Sequence, residues 1–389
     1  MKKISNYFNL LMLIALISVG QMTQTIYIPA IPDIAFYFKQ PSTLIQSVMG
    51  SYLLCYGFSQ LLYGPLSDYI GRRPVILIGL IINLIATIFA FCAFSLNQLI
   101  IASAIQGFGI GVAGVMARTM PRDLYSGIKL RKANSILNMG IILSPLLAPI
   151  IGGIIIHYFT WRAIYIFLLL LSFFVFIFIW IWLPETKPSY YKIENIFISY
   201  ITLLTNKKFI AYLIILISGL SGIVIYESIS GILLSDILGL NHIDVSIQFI
   251  LPIPAAFLGA WYSAKNKKSF SSLMWFAILC CITASIAMWL PSWFHMMNTW
   301  TLIIPASLFF FGAGILFPLA TSGAMEPFPF MAGSAGALIG GLQNIGSGFM
   351  AWLSALISHD GQFNLGLLML IVSSIILLFW FQIFYGNRK

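Results

Sequence analysis

The sequence has little charge. Asp, Glu, Lys and Arg make up only 8% of its 389 residues, whereas 60% are hydrophobic. Soluble domains average about 25% charged and about 45–50% apolar residues, so the composition predicts a membrane protein. The four cysteines all fall inside long apolar stretches, which argues against a disulfide framework.

Motifs that carry chemistry are also missing. There is no Walker-type phosphate loop, so we do not expect ATP to drive this protein. No two histidines lie at metal-ligand spacing, and no Ser-His-Asp order, H-E-x-x-H or G-x-S-x-G pattern occurs. We therefore expect no enzyme, no metal site and no bound cofactor. No A-x-A-like cleavage site follows the first apolar stretch, which predicts a retained helix rather than a signal peptide.

Long apolar segments are what the chain does contain. We predict twelve transmembrane helices, because each segment can cross a hydrocarbon core that needs about 20 helical residues. They lie near 8–28, 43–63, 74–94, 98–118, 134–156, 163–183, 209–235, 245–262, 272–290, 300–320, 332–357 and 364–385.

The basic residues fall almost entirely in alternate connections between these segments. By the positive-inside rule, this distribution places both termini in the cytoplasm. The net charge of +10 is thereby explained as a topology signal, and we expect no nucleic-acid partner.

One stretch, residues 64–76, places Asp68, Arg72 and Arg73 between two apolar runs. Charge so close to hydrocarbon is costly, which predicts a tight loop at one membrane face. The pattern G-x-L-x-D-x-x-G-R-R resembles the cytoplasmic signature loop of major facilitator superfamily transporters.

The order of segments indicates two halves around a central loop. We expect an N-terminal six-helix bundle at 1–183, a cytoplasmic loop at 184–208 and a C-terminal six-helix bundle at 209–389. A trace of repetition supports this division, because residues 259–268 overlay the signature loop at an offset of 195 residues. A chance likeness of two basic loops is the alternative.

Further motifs look like the Bcr/CflA branch of drug/proton antiporters, and they cover nearly the whole chain. They are Tyr27–Pro32, Gln106–Gly111, Pro121–Tyr125, Leu146–Gly153 and Ala332–Leu338, together with Leu-Pro-Glu-Thr at the start of the central loop.

This resemblance implies an all-α membrane protein with twelve transmembrane helices in two pseudo-symmetric bundles. It implies a monomer in the bacterial inner membrane that exports amphipathic small organic molecules by alternating access, driven by the proton gradient. The alternative is a dedicated exporter of one endogenous metabolite, such as a siderophore. A channel or a membrane sensor would be a different class of protein.

The resemblance also assigns a conformational latch. Arg72 would pair with Asp123 at the end of helix 4, and the contact would break when the protein opens inward. The latch residues are Gly64, Asp68, Gly71, Arg72, Arg73 and Asp123. The alternative is that the two arginines only set topology.

Helix 5 matches a motif associated with antiporters at Ala148, Pro149, Gly152 and Gly153. Proline kinks a helix and small residues keep its surface flat, which suits export. Simple helix packing is the alternative.

The acid that the branch usually carries in helix 1 is replaced by Thr25, and the usual arginine in helix 4 is replaced by Ser103. We expect Glu227 to substitute as the proton-coupling group, because an ionisable residue inside a span is costly without a function. Burial favours its protonated form and lets it exchange a proton during the cycle. The alternative is a Glu227 that reaches water or stays protonated and hydrogen-bonded. Asp33 and His242 are expected in water-exposed loops.

The substrate cavity should contain polar side chains on helices from both halves. The candidates are Tyr27, Gln60, Gln106, Asn138, Tyr226, Gln343 and Asn344. Side-chain amides also hydrogen-bond one helix to another in membranes, so a structural role is equally open for each.

Overall fold

The computed structural model describes residues 6–125, 127–187, 196–266, 268–294, 296–328, 332–357 and 361–386. Within these ranges every regular element is helical. The α-helices are α1 (Asn6–Thr25), α2 (Ile31–Phe38), α3 (Ser42–Ile70), α4 (Arg72–Phe91), α5 (Leu96–Ile110), α6 (Val112–Leu124), α7 (Gly127–Tyr158), α8 (Arg162–Trp182), α9 (Ile196–Thr205), α10 (Lys207–Ile232), α11 (His242–Ile250), α12 (Ile253–Lys265), α13 (Phe270–Trp289), α14 (Thr299–Met325), α15 (Ala332–Ser354) and α16 (Phe363–Gly386).

Several of these helices join into one span. A 3-10 turn at Ile28–Ala30 links α1 to α2, and a π-turn at Leu233–Ile237 extends α10. The pairs α5–α6 and α11–α12 each form one bent span, so the helices follow the order of the twelve predicted segments.

Among the described residues, nine helical segments are long and apolar enough to cross a membrane. The other three predicted spans correspond to α3, α7 and α15, which contain 29, 32 and 23 residues. These three helices carry smaller and more polar side chains because they pack against other helices: α3 against α15, and α7 against α11. A helix that faces protein rather than lipid does not need a continuous apolar surface.

Two predicted boundaries differ from the structure. Helix α3 continues through Pro65 to Ile70, so residues 64–70 are helical and the expected loop is reduced to a turn at Gly71. Pro65 removes one backbone hydrogen bond without ending the helix. The predicted central loop at 184–208 contains α9, and α10 already begins at Lys207.

The two halves meet along α3 and α15, where glycines let the backbones approach. A Cβ on Gly57 would lie 2.5 Å from the carbonyl oxygen of Gly341, and a Cβ on Gly348 would lie 2.6 Å from the backbone nitrogen of Leu54. Neither glycine tolerates a side chain without moving a helix, so these contacts fix the distance between the halves at this interface.

We call the end of the molecule that carries Gly71 the turn end, and the other end the far end. At the far end the buried apolar core runs continuously from one half into the other. At the turn end the C-terminal half has a separate core, which includes Phe209, Tyr212, Leu273 and Trp380. The halves are therefore closed together at the far end.

Candidate functional site

The turn at Gly71 holds a buried arginine in place. Gly71 has φ 110° and ψ 159°, a conformation that glycine alone adopts readily. Arg72, which is only 1% exposed, donates through Nε to Asp123 Oδ2 at 3.0 Å and through Nη1 to Ser67 Oγ at 2.6 Å. Nη1 also pairs with Asp68. The pairing of Arg72 with Asp123 that the resemblance implies is thus present in the structure.

The other latch candidates surround this arginine. Gly64 lies one turn before Asp68 in α3, with Val115 of α6 at 4.0 Å from a Cβ placed on it. Arg73 donates through Nη2 to the carbonyl oxygen of Trp180 at 2.6 Å. All of these contacts lie inside the N-terminal half, so the arrangement ties α3, α4, α6 and α8 into one unit.

Glu185 belongs to this arrangement, although it was absent from the sequence-based candidates. Its carboxylate accepts the backbone N–H of Arg72 at 2.9 Å and of Arg73 at 3.2 Å, at the start of α4. Partial burial by itself would raise the pKa of the Glu185 carboxyl group. The N–H donors of Lys187, Arg72, Arg73 and Thr186 nevertheless hold the pKa of Glu185 below its usual value. An acid directly after the proline that ends a span was the available signal.

The adjacent glycines of α7 face different partners. A Cβ on Gly152 would collide with the carbonyl oxygen of Ile26 in the N-terminal half. A Cβ on Gly153 would collide with Ser246 Oγ and lie 2.9 Å from the carbonyl oxygen of His242, both in α11 of the C-terminal half. Ala148 is fully buried, and Pro149 lies inside α7 without ending it. The two glycines therefore let α7 pack closely against its own half on one side and against α11 of the C-terminal half on the other, at the far end.

Glu227 lies buried in α10 where the two halves meet. It is 6% exposed, its Oε2 accepts no hydrogen bond, and none of the ion pairs among the described residues includes it. Tyr27 and Tyr226, both buried, are close enough to interact electrostatically with its carboxyl group. The next residue, Ser228, donates to Met49 Sδ of α3 at 3.4 Å. The structure thus brings Tyr27, Tyr226 and Glu227 together from opposite halves.

Gln60 also lies between the halves. Its Oε1 accepts from Arg118 Nη1 at 3.3 Å, and the Arg118 guanidinium packs against Gly340 of α15. Gln106, by contrast, donates to Thr87 Oγ1 at 2.9 Å within the N-terminal half. That bond joins α5 to α4, which is the structural role left open from the sequence.

The remaining amide candidates lie in or near α15. Gln343 donates to the carbonyl oxygen of Leu216 in α10 at 3.4 Å, and Asn344 donates to the carbonyl oxygen of Gly340 at 2.8 Å. Both are partly exposed and stay close to the interface of the halves. The side chain of Asn138 lies outside the described part of the structure.

Two helical halves that close on each other at one end, with a buried carboxyl group between them, define a membrane protein of the two-bundle transporter class. Residues 13–351 match the Major Facilitator Superfamily, and the chain belongs to this family. It is therefore a multi-pass transport protein that resides in a lipid bilayer and binds small molecules.

Named relatives fit the drug-efflux branch of the family. The chain is 56% identical to multidrug resistance protein D of Escherichia coli, covering 98% of this chain and 96% of that protein. It is 24% identical to a bicyclomycin resistance protein homologue of Haemophilus influenzae, covering 86% and 85%. The solved structure of the E. coli xylose transporter, partially occluded and inward-open, shares the fold with a TM-score of 0.76 at 13% identity, covering 97% of each chain.

Proposed function

We propose that this protein exports amphipathic small organic molecules across the bacterial inner membrane by alternating access, in exchange for protons bound at Glu227. The observation that carries the proposal is the Glu227 carboxyl group, buried between the halves with one oxygen that accepts no hydrogen bond. A membrane-buried acid without a basic partner is costly unless protonation is part of the working cycle.

The proposed cycle follows from the position of Glu227. Tyr27, which interacts electrostatically with Glu227, and Met49, which accepts from the adjacent Ser228, belong to the N-terminal half, so separating the halves changes the surroundings of this carboxyl group. A carboxyl group that gains water on opening releases a proton more easily than one enclosed in protein. Proton binding and release would thereby follow the alternation between conformations.

The multidrug specificity of this proposal comes from the similarity to multidrug resistance protein D of E. coli. The orientation, with both termini and the turn end in the cytoplasm, comes from the distribution of basic residues. We propose that the monomer is the transporting unit, because each chain contains both halves of the fold.

The test uses purified protein in liposomes that contain a trapped pH-sensitive dye. A panel of amphipathic organic compounds and siderophores is added, and proton movement and substrate flux are both recorded. Wild-type protein should move protons only when a transported compound is present, and Glu227→Gln should abolish that movement.

A matched control is Asp244→Asn, which removes one acid from α11; in the described part of the chain the side chain and backbone N–H of Asp244 bond to the nearby Asn241. This variant should transport as the wild type does. Substrate flux without proton movement, equal in wild type and Glu227→Gln, would contradict coupling at Glu227. Transport confined to the siderophores would replace the multidrug assignment with dedicated export.

A further inference from the structure

At the far end, a histidine of one half lies between two oxygen atoms of the other. His242 begins α11 in the C-terminal half, and its Nδ1 lies 2.9 Å from the carbonyl oxygen of Pro29. Its Nε2 lies 3.4 Å from Asp33 Oδ2, in the first turn of α2. That carboxylate oxygen is shielded from water and accepts no hydrogen bond. The cluster Pro29–Asp33–His242 therefore bridges the two halves.

The chemistry of the two oxygen atoms determines how many protons the cluster holds. A carbonyl oxygen only accepts hydrogen bonds, so His242 Nδ1 must carry a proton. A neutral imidazole has no second proton, and its Nε2 lone pair would then face the Asp33 carboxylate. The contact becomes favourable when one more proton binds, either on Nε2 or on Asp33. Both ring nitrogens of His242 therefore take part in hydrogen bonds only when this additional proton is bound.

We propose that Pro29, Asp33 and His242 form a proton-binding site between the halves, and that the bound proton holds the far end closed. Opening the far end separates Asp33 and Pro29 from His242, so the extra proton is bound more tightly in the closed state. By thermodynamic linkage, a ligand that binds one state more tightly shifts the equilibrium towards that state. Acidification therefore favours closure at this end.

Neighbouring charges and dipoles affect how tightly this proton is bound. The amino terminus of α11 disfavours positive charge on His242, so the oxygens of Asp33 and Pro29 must outweigh it. Ser246 Oγ donates a hydrogen bond to the carbonyl oxygen of His242 at 2.6 Å. Gly153 lets α7 approach the same stretch of backbone. At the far end, the other histidine, acidic and basic side chains on these elements are Lys39 after α2, His157 on α7, Glu227 on α10, Asp236 on the π-turn and Asp244 on α11.

Two of these acids have other partners. Asp244 accepts from Asn241 within its own half at 2.7 Å. Asp236 accepts from Ser42 of the N-terminal half at 2.6 Å, so this hydrogen bond also joins the halves, but it needs no histidine proton. Among the ion pairs of the described residues, Asp33–His242 alone joins the two halves at the far end, and it requires a protonated histidine.

The consequence for transport rests on the proposed orientation, in which the far end faces the outside. A proton arriving from outside would then close the outward pathway after substrate has left. The effect on closure itself needs neither a substrate nor that orientation, so it can be tested separately from transport.

The test measures the separation of the two halves directly. Spin labels are attached to cysteines at Phe36 of α2 and Ile247 of α11, whose side chains are 89% and 50% exposed. The native cysteines are replaced by serine, and Glu227→Gln removes the coupling acid as a source of pH dependence. Electron-electron distance distributions of the full-length protein in detergent are then recorded from about pH 5 to 8.

We expect the short-distance, closed population to grow as the pH falls. His242→Gln should remove this pH dependence because glutamine cannot become charged. Asp33→Asn should keep the far end closed at every pH, since its amide can donate to the neutral Nε2. His157→Gln is the matched control, a histidine at the same end, and should leave the pH dependence unchanged.

Two results would overturn the proposal. The first is a distance distribution that does not change with pH in the reference protein. The second is the same pH transition in His242→Gln or Asp33→Asn as in the reference. Failure of proton-coupled transport in liposomes would leave these distance measurements unaffected, so the two proposals fail independently.

Discussion

The two ends of the molecule are held together by different kinds of contact. At the turn end, a buried arginine and two aspartates join helices of the N-terminal half to one another. At the far end, the close contacts join one half to the other, through Gly153 on α11, Ile28 on Gly231 and His242 on Pro29. One end stabilises a half as a unit, whereas the other stabilises the closed arrangement of two units.

This difference indicates how the protein can move. Alternating access in this fold is largely rocking of one half against the other around a central site. The buried ionic contacts of Arg72 resist deformation within the N-terminal half. The far end relies on small-residue contacts, the Ser42–Asp236 hydrogen bond and one partly exposed ion pair, which separate at lower cost. Variants at the two ends should therefore fail in different ways.

The largest expected effect is loss of the buried arginine. Arg72→Gln leaves Asp68 and Asp123 without their cation, and breaking a buried ion pair in this way costs about 3–5 kcal/mol. We expect a strongly lowered melting temperature in detergent, measured by intrinsic fluorescence. Arg73→Gln is the neighbouring control and should cost no more than about 1.5 kcal/mol, the scale of one hydrogen bond. Equal losses in the two variants would show that the buried pair has no special weight.

An intermediate effect separates the two glycines of α7. Gly152→Ala forces a methyl group against the Ile26 carbonyl within one half, and overpacking of this kind costs about 1–3 kcal/mol. Gly153→Ala instead forces a methyl group between α7 and α11, so the halves can relieve it by separating at the far end. We expect lowered thermal stability in the first variant.

The second variant should show a larger open population, measured with the Phe36 and Ile247 spin labels. The same melting temperature and the same distance distribution in both variants would contradict the distinction between the ends. Ile154→Ala, on the same helix at a side chain that is 48% exposed, serves as the control for changes in helix composition.

The sequence predicted the two-bundle fold because composition and segment length reflect the bilayer directly. The pairing of Arg72 with Asp123 came from family resemblance, since spacing alone cannot bring together residues 51 positions apart. Gln106 shows the limit of this approach. A buried amide in a span is compatible with a cavity or with helix packing, and only the bond to Thr87 distinguishes them.

The contacts between the halves were the least predictable. Asp33 and His242 were expected in separate water-exposed loops, and nothing local in either segment indicates that the two meet. The proline carbonyl that His242 contacts lies 213 residues away in the chain. Such contacts depend on which end of the interface is closed, and therefore on conformation as well as on sequence.

The smallest expected effect concerns Glu185 of the central loop, whose carboxylate joins this loop to the start of α4. Its pKa is lowered in the folded protein, so its stabilising contribution is present above the unfolded value of about 4.3 and is lost as the pH falls through the lower folded value. Because the side chain is exposed, the contribution should stay below about 1 kcal/mol.

Glu185→Gln should therefore lower the melting temperature slightly at neutral pH, and its difference from wild type should shrink as the solution is acidified below the unfolded value. Melting curves of both proteins across this range provide the measurement, with Glu326→Gln as a control that leaves the turn end of the N-terminal half intact. A difference that grows on acidification would contradict the role of the Glu185 carboxylate as an acceptor for the backbone of α4. The central loop would then not contribute to the contacts that make this half a rigid unit.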